Sequence, residues 1–437
     1  MNHSPHSKTP GAPTAREIAA QVLSRVERDQ AYASRTLDAE LSRYRQLDAR
    51  ERGLATELTY GCLRVRPVLL DRLAAGTPRG LGRLDPWVLS HLIVAAYQLF
   101  ILDRIPAFVA VSEAVEAIRH RRGQRLAGFA NALLRGLAAT GERLTLEQAT
   151  WQSLPSWLEQ RLVQAIGSDE AHALVTRNVR GILTVRPLKG APSPGWLQRA
   201  DTGRTSPCAR TVLHVGDPRR LPGYAAGAFV VQEEGSQVVA LSLGARAGER
   251  VLDACAGHGQ KSAMLAEAVG SDGQLWATDL YPGKLRALVQ EFRRLGLSEP
   301  KTAAVDWSVG AGPVPSGQDR VLVDAPCTGT GTLRRRPELA FRLKPEDPAR
   351  LGKLGEQILR RAAQLCRPGG RVVYAVCSVL PEEGPEVIER VADQLEPVPF
   401  DAPGLTAWLE PAACTIQLLP GRHGTDGFFM ASLTARR

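Results

Sequence analysis

Long apolar runs are missing from this 437-residue chain. No segment approaches the roughly 18 uninterrupted apolar residues that a membrane span needs. The opening MNHSPHSKTPGAPTA has no apolar core of the kind that marks an export signal. The sequence therefore predicts a cytoplasmic protein with no membrane partner and a disordered tail over residues 1–13. Cysteine is sparse as well: Cys62, Cys208, Cys255, Cys327, Cys366, Cys377 and Cys414 are scattered, odd in number, and form no C-x-x-C pair. That excludes a disulfide framework and a structural zinc site, so no metal is expected. A small buried hydrophobe is the plain reading of each thiol. Lysine is nearly absent, supplying seven of the 55 basic residues. The other 48 are arginine, which grips phosphate and stacks on bases better than lysine does. With 45 acidic residues the formal charge is +10, which points to a polyanionic partner such as a nucleic acid.

What is present is the composition of a globular protein, 44% hydrophobic and 23% charged, in a chain long enough for two or three domains. Residues 14–143 repeat apolar positions at three- and four-residue spacing, as in AREIAAQVLSRVERD and WVLSHLIVAAYQLFIL, and predict a bundle of five to seven helices. Asp85 and Ser112 are candidate N-caps, and Pro86 suits a first helical turn. Residues 1–150 carry 21 Lys+Arg against 15 Asp+Glu, so most of the net charge lies here. The most basic run is RHRRGQRLAGFANALLRGL, with a solvated helix end as its alternative reading. Residues 144–235 mix short strands (GILTVRPL, RTVLHVG, GAFVVQ) with helices and read as a small α+β module. From 236 to 437 strands alternate with helices, which predicts an α/β domain: a doubly wound, mostly parallel sheet. Asp253, Asp279, Asp306, Asp324 and Cys377 all fall at carboxyl ends of its predicted strands, where such sheets bind ligands.

The first strand runs into a glycine turn and a helix, VLDACAGHGQKSAML. A phosphate-binding P-loop needs glycine where Gln260 and Cys255 stand. The dinucleotide fingerprint fails too, because Gly257 and Gly259 lack a third glycine at Ser262. Asp279, ending the next strand, is placed to accept hydrogen bonds from both hydroxyls of a ribose, and Asp306 to meet an adenine amine. A nucleoside without a phosphate loop suggests S-adenosylmethionine. Two further runs, VLVDAPCTGTGTLRRRPEL and GGRVVYAVCSVLPEEG, each place a cysteine at a strand end, and one has an aspartate beside it. Such a trio suits methylation of cytosine at carbon 5. That carbon is a poor nucleophile until a thiolate adds to carbon 6, aided by an acid near N3, and the thiol must afterwards be expelled.

DAPCTGTGTLRRRPEL, YAVCSVLPEEG, LDACAGHGQKS and LLPGRHGTDGFFMASL resemble motifs of the RNA 5-methylcytosine methyltransferases, the Nol1/Nop2/Sun family. LTYGCLR, AAYQLFILDRIP, GFANALLRGL and VVQEEGSQ resemble its ribosomal RNA small subunit methyltransferase B branch, which carries a NusB-like RNA-binding domain. The resemblance covers residue 15 to the end. It implies a Rossmann-like methyltransferase domain after an all-α NusB-like bundle, acting as a monomer on small-subunit (16S) ribosomal RNA. Carried over by residue, it makes Cys377 the nucleophile, Cys327 its partner in releasing the base, and Asp324 the contact near N3. Cys255, Ala256, Gly257, His258, Gly259, Gln260 and Lys261 are expected to hold the methionine part of the cofactor, Asp279 the ribose and Asp306 the adenine edge, with Asp324 also counted at the cofactor. Arg334, Arg335 and Arg336 are expected on RNA phosphates.

Plainer alternatives stand beside these roles. They are buried thiols for Cys327 and Cys377, a turn cap for Asp324, and a cap for Asp279 on the helix near Pro282. Cys62, Cys255 and Cys366 read as structural thiols and His258 as a turn residue. The chain also departs from the family pattern. His258, Gln260 and Ser262 stand for proline, glycine and threonine in the cofactor turn, Val376 for threonine, Gly384 for asparagine, and ELAFRL lacks a Lys-Trp pair. Two rival functions follow: the same chemistry on transfer RNA, or an RNA-binding assembly factor whose cofactor turn has decayed.

Overall fold

A computed structural model describes residues 13–436 except 30, 45, 79, 178–181, 214–215 and 406. The predicted tail therefore lies almost wholly outside the described residues, as do two residues of the RTVLHVG strand. The chain divides after Pro155 into two compact units.

The first unit is helical: α1 (Ala15–Arg28), α2 (Ala33–Arg43), α3 (Ala49–Arg64), α4 (Arg66–Ala75), α5 (Pro86–Phe100), α6 (Ala107–Arg122), α7 (Gln124–Ala139) and α8 (Leu146–Gln152). Its apolar stripes converge on one core that takes in Ile18, Leu58, Cys62, Leu92, Tyr97 and Leu134. α1 begins with a capping box, Thr14 Oγ1 accepting from Glu17 N–H while the Glu17 carboxylate accepts from Thr14 N–H. Asp85 caps α5 by accepting from Trp87 N–H at 2.8 Å, and Pro86 occupies the first turn. Ser112 is a correction, because α6 starts five residues earlier, at Ala107, and the Ser112 hydroxyl donates back to the Val109 carbonyl at 3.2 Å. A serine inside a helix can satisfy itself on the preceding turn, and the local pattern resembles a cap.

His91 lies in the α5 core, 3% exposed, its ring 4.1 Å from that of Trp87. Burial, helped by the Arg121 charge, pushes its pKa from 6.5 down to about 4. A folded value below the unfolded one means the associated stability is present above about pH 6.5 and is lost as the pH falls toward 4. With His91→Phe, the acid-induced loss between pH 7 and 4.5 should shrink by roughly 2 kcal/mol in hydrogen exchange of the α5 amides. Identical acid dependence in variant and parent would show that the folded protein already carries a charged His91.

The second unit opens with α9 (Ser156–Ile166) and α10 (Ser168–Thr176). It continues through β1 (Ile182–Pro187), α11 (Gly195–Gln198), β2 (Asp201–Thr202), β3 (Arg210–Leu213) and β4 (Phe229–Val231). These four strands form an antiparallel sheet in the order β2-β3-β1-β4. Next come α12 (Glu234–Ser242), β5 (Arg250–Asp253), α13 (Gln260–Val269), β6 (Gln274–Asp279), α14 (Pro282–Leu295), β7 (Lys301–Ala304) and β8 (Gln318–Asp324). α15 (Leu339–Arg342), α16 (Asp347–Ala363), β9 (Cys366–Val376), α17 (Pro385–Arg390), β10 (Leu395–Pro397), β11 (Thr415–Leu418), α18 (Pro420–His423) and β12 (Phe428–Ala435) complete it.

The large sheet runs β10-β12-β9-β8-β5-β6-β7, with β11 on β12. Strands β5 to β9 are mutually parallel, and β10, β11 and β12 are antiparallel additions of which the sequence showed only the last. Alternate residues leave the strands on opposite faces, which is why the buried strands are apolar throughout. Leu322, Val373 and Ala375 pack against α12, α13 and α14, while Val321, Val323, Val372, Tyr374 and Val376 pack against α16 and α17. From β5 the chain winds outward to β6 and β7, then returns to place β8 and β9 on the other side of β5. The strand order thus reverses between β5 and β8, and sheets of this kind bind ligands beyond the carboxyl ends of their strands at such a point.

Candidate active site

The candidate site is built from the ends of four strands. After β5, the turn at 254–259 is held by the sheet: Ala256 N–H donates to the Thr278 carbonyl at 2.8 Å, and Gly257 N–H to Asp279 Oδ2 at 3.1 Å. Gly259 takes φ 90°, and a Cβ there would lie 2.6 Å from Leu288, so only glycine lets the turn sit on α14. A Cβ on Gly257, at φ 58°, would project into open space with no atom within 4 Å. Asp253, at the end of β5, is buried, which raises its pKa to about 6. Ser262 Oγ donates to its Oδ2 at 2.7 Å. The serine that stands for the family's threonine therefore supplies a hydroxyl to the strand end, and the exposed Gln260 side chain leaves the turn intact.

Asp279 ends β6, accepting also from Tyr281 N–H at 2.9 Å and Lys284 Nζ at 3.2 Å. Next to it Leu280 and Tyr281 are uncovered, Tyr281 at 58% exposure. Two exposed apolar side chains beside a carboxylate, at the mouth of an open glycine turn, fit an adenosine with its ribose on Asp279. The arrangement suits S-adenosylmethionine. The sequence reading overlooked Leu280 and Tyr281, whose signal was an apolar pair just past a strand end. Asp306 is placed less directly, since it lies exposed two residues beyond β7 and accepts from Ser308 N–H and Oγ at 2.9 and 2.5 Å.

Across the switch point, Asp324 ends β8 and pairs with Lys261 Nζ at 2.6 Å. Burial opposes the Lys261 charge, but the Asp324 carboxylate outweighs it and raises the ammonium pKa. Lys261 thereby joins the cofactor turn to the aspartate instead of simply facing the methionine. Cys327 and Cys377 lie three residues after Asp324 and just beyond the end of β9, with their sulfurs 3.4 Å apart. A hydrogen bond from Cys327 lowers the Cys377 pKa against the effect of burial, with Lys261 and Arg336 adding positive charge nearby. The same bond, with burial, holds the Cys327 proton far more tightly than in an ordinary thiol. Cys377 therefore gives up its proton more readily than Cys327 does. The remaining thiols assigned structural roles fit them: Cys62 sits in the helical core, while burial raises Cys366 to about 11 and Cys255 well above the ordinary range.

Arg334 is the main correction. Its guanidinium is 4% exposed, donating to Asp426 Oδ1 at 2.6 Å, the Gly424 carbonyl at 3.1 Å and Glu233 Oε1 at 3.4 Å. A charge buried on two carboxylates holds the fold and does not reach a phosphate. Arg335 donates to Asp426 Oδ2 at 2.6 Å but stays partly exposed, and Arg336 is exposed. Glu383 was overlooked. Buried, and with its pKa raised by burial, it binds both cysteine loops. Among the described residues no group of three or more His, Cys, Asp or Glu is arranged to hold a metal, and no helix is long and apolar enough to cross a membrane.

The family model described as 16S rRNA methyltransferase RsmB/F matches residues 240–434, and the NusB family model matches residues 13–139. The "Probable ribosomal RNA small subunit methyltransferase B" of Bacillus subtilis is 31% identical over 443 residues, 96% of this chain and 98% of that one. The "Ribosomal RNA small subunit methyltransferase B" of Klebsiella pneumoniae is 30% identical over 442 residues, 97% and 98% of the two chains. Among solved structures, PH0851 superposes with a TM-score of 0.81 at 24% identity, over 98% of this chain and 100% of that one. NSun6 from Pyrococcus horikoshii with SFG gives 0.56 at 17% identity, over 64% and 98%. The fold of the second unit is thus shared with these two structures, and sequence identity extends through both units to the curated relatives. On that end-to-end agreement the chain belongs to the 16S rRNA methyltransferase RsmB/F family, as an S-adenosylmethionine-dependent RNA methyltransferase.

Proposed function

We propose that the protein methylates carbon 5 of a cytosine in small-subunit (16S) ribosomal RNA through a transient bond between Cys377 and the base. The observation that carries this reading is the pair of sulfurs 3.4 Å apart beside the Asp324–Lys261 ion pair. The Cys377 thiolate adds to carbon 6, and the ring's electrons move toward N3, where Asp324 contacts the base and Lys261 keeps that carboxylate oriented. Carbon 5 is then enamine-like. The turn 255–261, Asp279 and the Leu280–Tyr281 surface would hold S-adenosylmethionine, whose sulfonium would supply the methyl group to this carbon and leave as the neutral thioether. Loss of the carbon 5 proton to a base re-forms the 5,6 double bond and expels the Cys377 thiolate. The Cys327 S–H, already hydrogen-bonded to that sulfur, stabilises the departing charge.

The exposed Arg335 and Arg336 side chains support contact with RNA phosphates, and the basic helical unit is assigned further RNA affinity. The same reading places the enzyme in the cytoplasm, as a monomer that uses no metal. Methylation of transfer RNA by the same chemistry is the competing outcome. Bisulfite sequencing of RNA from a deletion strain should show a cytosine in small-subunit ribosomal RNA that has lost its 5-methyl group. Loss confined to transfer RNA, or none at all, would overturn the substrate assignment.

A further inference from the structure

Thr328 follows Cys327 and Ser378 follows Cys377, and both hydrogen-bond to one carboxylate. Glu383 Oε1 accepts from Thr328 N–H at 2.6 Å, and Oε2 accepts from the Thr328 and Ser378 hydroxyls at 2.6 and 2.5 Å. Thr330 Oγ1 meets Ser378 Oγ at 2.9 Å and accepts from Val379 N–H at 3.3 Å, while Gly331 N–H donates to the Cys377 carbonyl at 3.0 Å. Two loops 50 residues apart in sequence are therefore tied through a side chain that is 1% exposed. None of those bonds comes from a lysine or arginine. A buried carboxylate without a cation is expensive, and three short donors are what make it tolerable. An apolar residue at this position would strand the Thr328 N–H and the two hydroxyls, so the carboxylate is what holds the two cysteine loops against each other.

We propose that Glu383 is the positioning residue of the cysteine pair. Through Thr328 and Ser378 it sets the sulfur-to-sulfur spacing at which Cys327 can hydrogen-bond Cys377. It touches neither base nor cofactor and acts only through the two loops. The functional half of this inference rests on the roles proposed above for the two thiols. The spacing itself can be measured without RNA.

Diamide is the probe. It takes two hydrogen atoms from a pair of nearby thiols, forming one disulfide while its N=N bond becomes N–N with two N–H. In the full-length protein it should cross-link Cys327 to Cys377, read as a linked peptide by mass spectrometry. Glu383→Gln keeps the volume but replaces an acceptor with a donor, and the cross-linking rate should fall about tenfold, the effect of roughly one hydrogen bond. Glu383→Ala should slow it further, and Ser378→Ala, which removes one tie, should give an intermediate rate. On RNA, Glu383→Gln should lower kcat by about 100-fold with KM changed by less than about threefold, because the defect lies in alignment. A merely structural glutamate would lower the melting temperature and leave the cross-linking rate of folded protein unchanged. If Glu383→Ala does not fold, Glu383→Gln and Ser378→Ala give the same comparison. Cross-linking at the parent rate in folded variants overturns the proposal. Slowed cross-linking together with full methylation by Cys377→Ala would leave the spacing role standing and overturn the proposed chemistry.

Discussion

Cys377→Ala should abolish methylation, with kcat falling on the order of 10⁴-fold or more and no protein–RNA adduct at any time. Cys327→Ala should behave differently, because in the proposed chemistry the thiol it removes is needed only after the bond to carbon 6 exists. Addition and methyl acceptance proceed, release falters, and a complex that survives denaturing gels should accumulate while turnover drops by about 100-fold. The proposed order rests on the inequivalence of the two sulfurs: the hydrogen bond at 3.4 Å lowers the Cys377 pKa and raises that of Cys327. Alkylation by iodoacetamide supplies an independent measurement. Cys377 should react faster than Cys327 near neutral pH, since only the thiolate attacks. An adduct trapped by Cys377→Ala, or a Cys377→Ala enzyme that methylates at the parent rate, would show that the two roles are reversed or absent.

Much of this site was legible because it is local. An apolar strand ending in a polar residue leaves a short-range pattern, so Asp253, Asp279, Asp324 and Cys377 were found at the ends of their strands or one residue beyond. What was not legible depends on where distant side chains come to rest. Arg334, Arg335 and Arg336 look alike in sequence, yet Arg334 is drawn inward by Asp426, which lies 92 residues later. Glu383 looked like part of a charged turn, and its partner Thr328 is 55 residues away in the other cysteine loop. Asp306 follows a strand as the other aspartates do, but it lies exposed two residues beyond β7, at the edge of the sheet. The antiparallel strands β10 and β11 are three and four residues long, too short to leave a periodic signal.

The burial of Arg334 has an energetic consequence that separates the two roles available to it. Asp426 is 0% exposed, accepts from both Arg334 and Arg335, and donates its backbone N–H to Glu233 Oε1 at 2.8 Å. Burial, and then the neighbouring Asp426 charge, raise the Glu233 pKa, so the cluster depends on its arginines to keep two acids in one place. Asp426→Ala leaves the Arg334 charge buried with a weaker partner at 3.4 Å. It should destabilise the protein by about 3–5 kcal/mol, read from the urea midpoint at constant slope. Arg334→Met removes charge and keeps volume, leaving Asp426 to Arg335, and its effect should be smaller, about 1–2 kcal/mol. The double variant should lose less than the sum, because Arg334→Met removes the stranded charge itself. If Arg334 instead met an RNA phosphate, Arg334→Met would leave stability alone and lower the salt dependence of RNA binding by about one unit of slope. With the guanidinium enclosed by Asp426, Glu233 and the Gly424 carbonyl, the stability loss should appear and the salt slope should stay where it is.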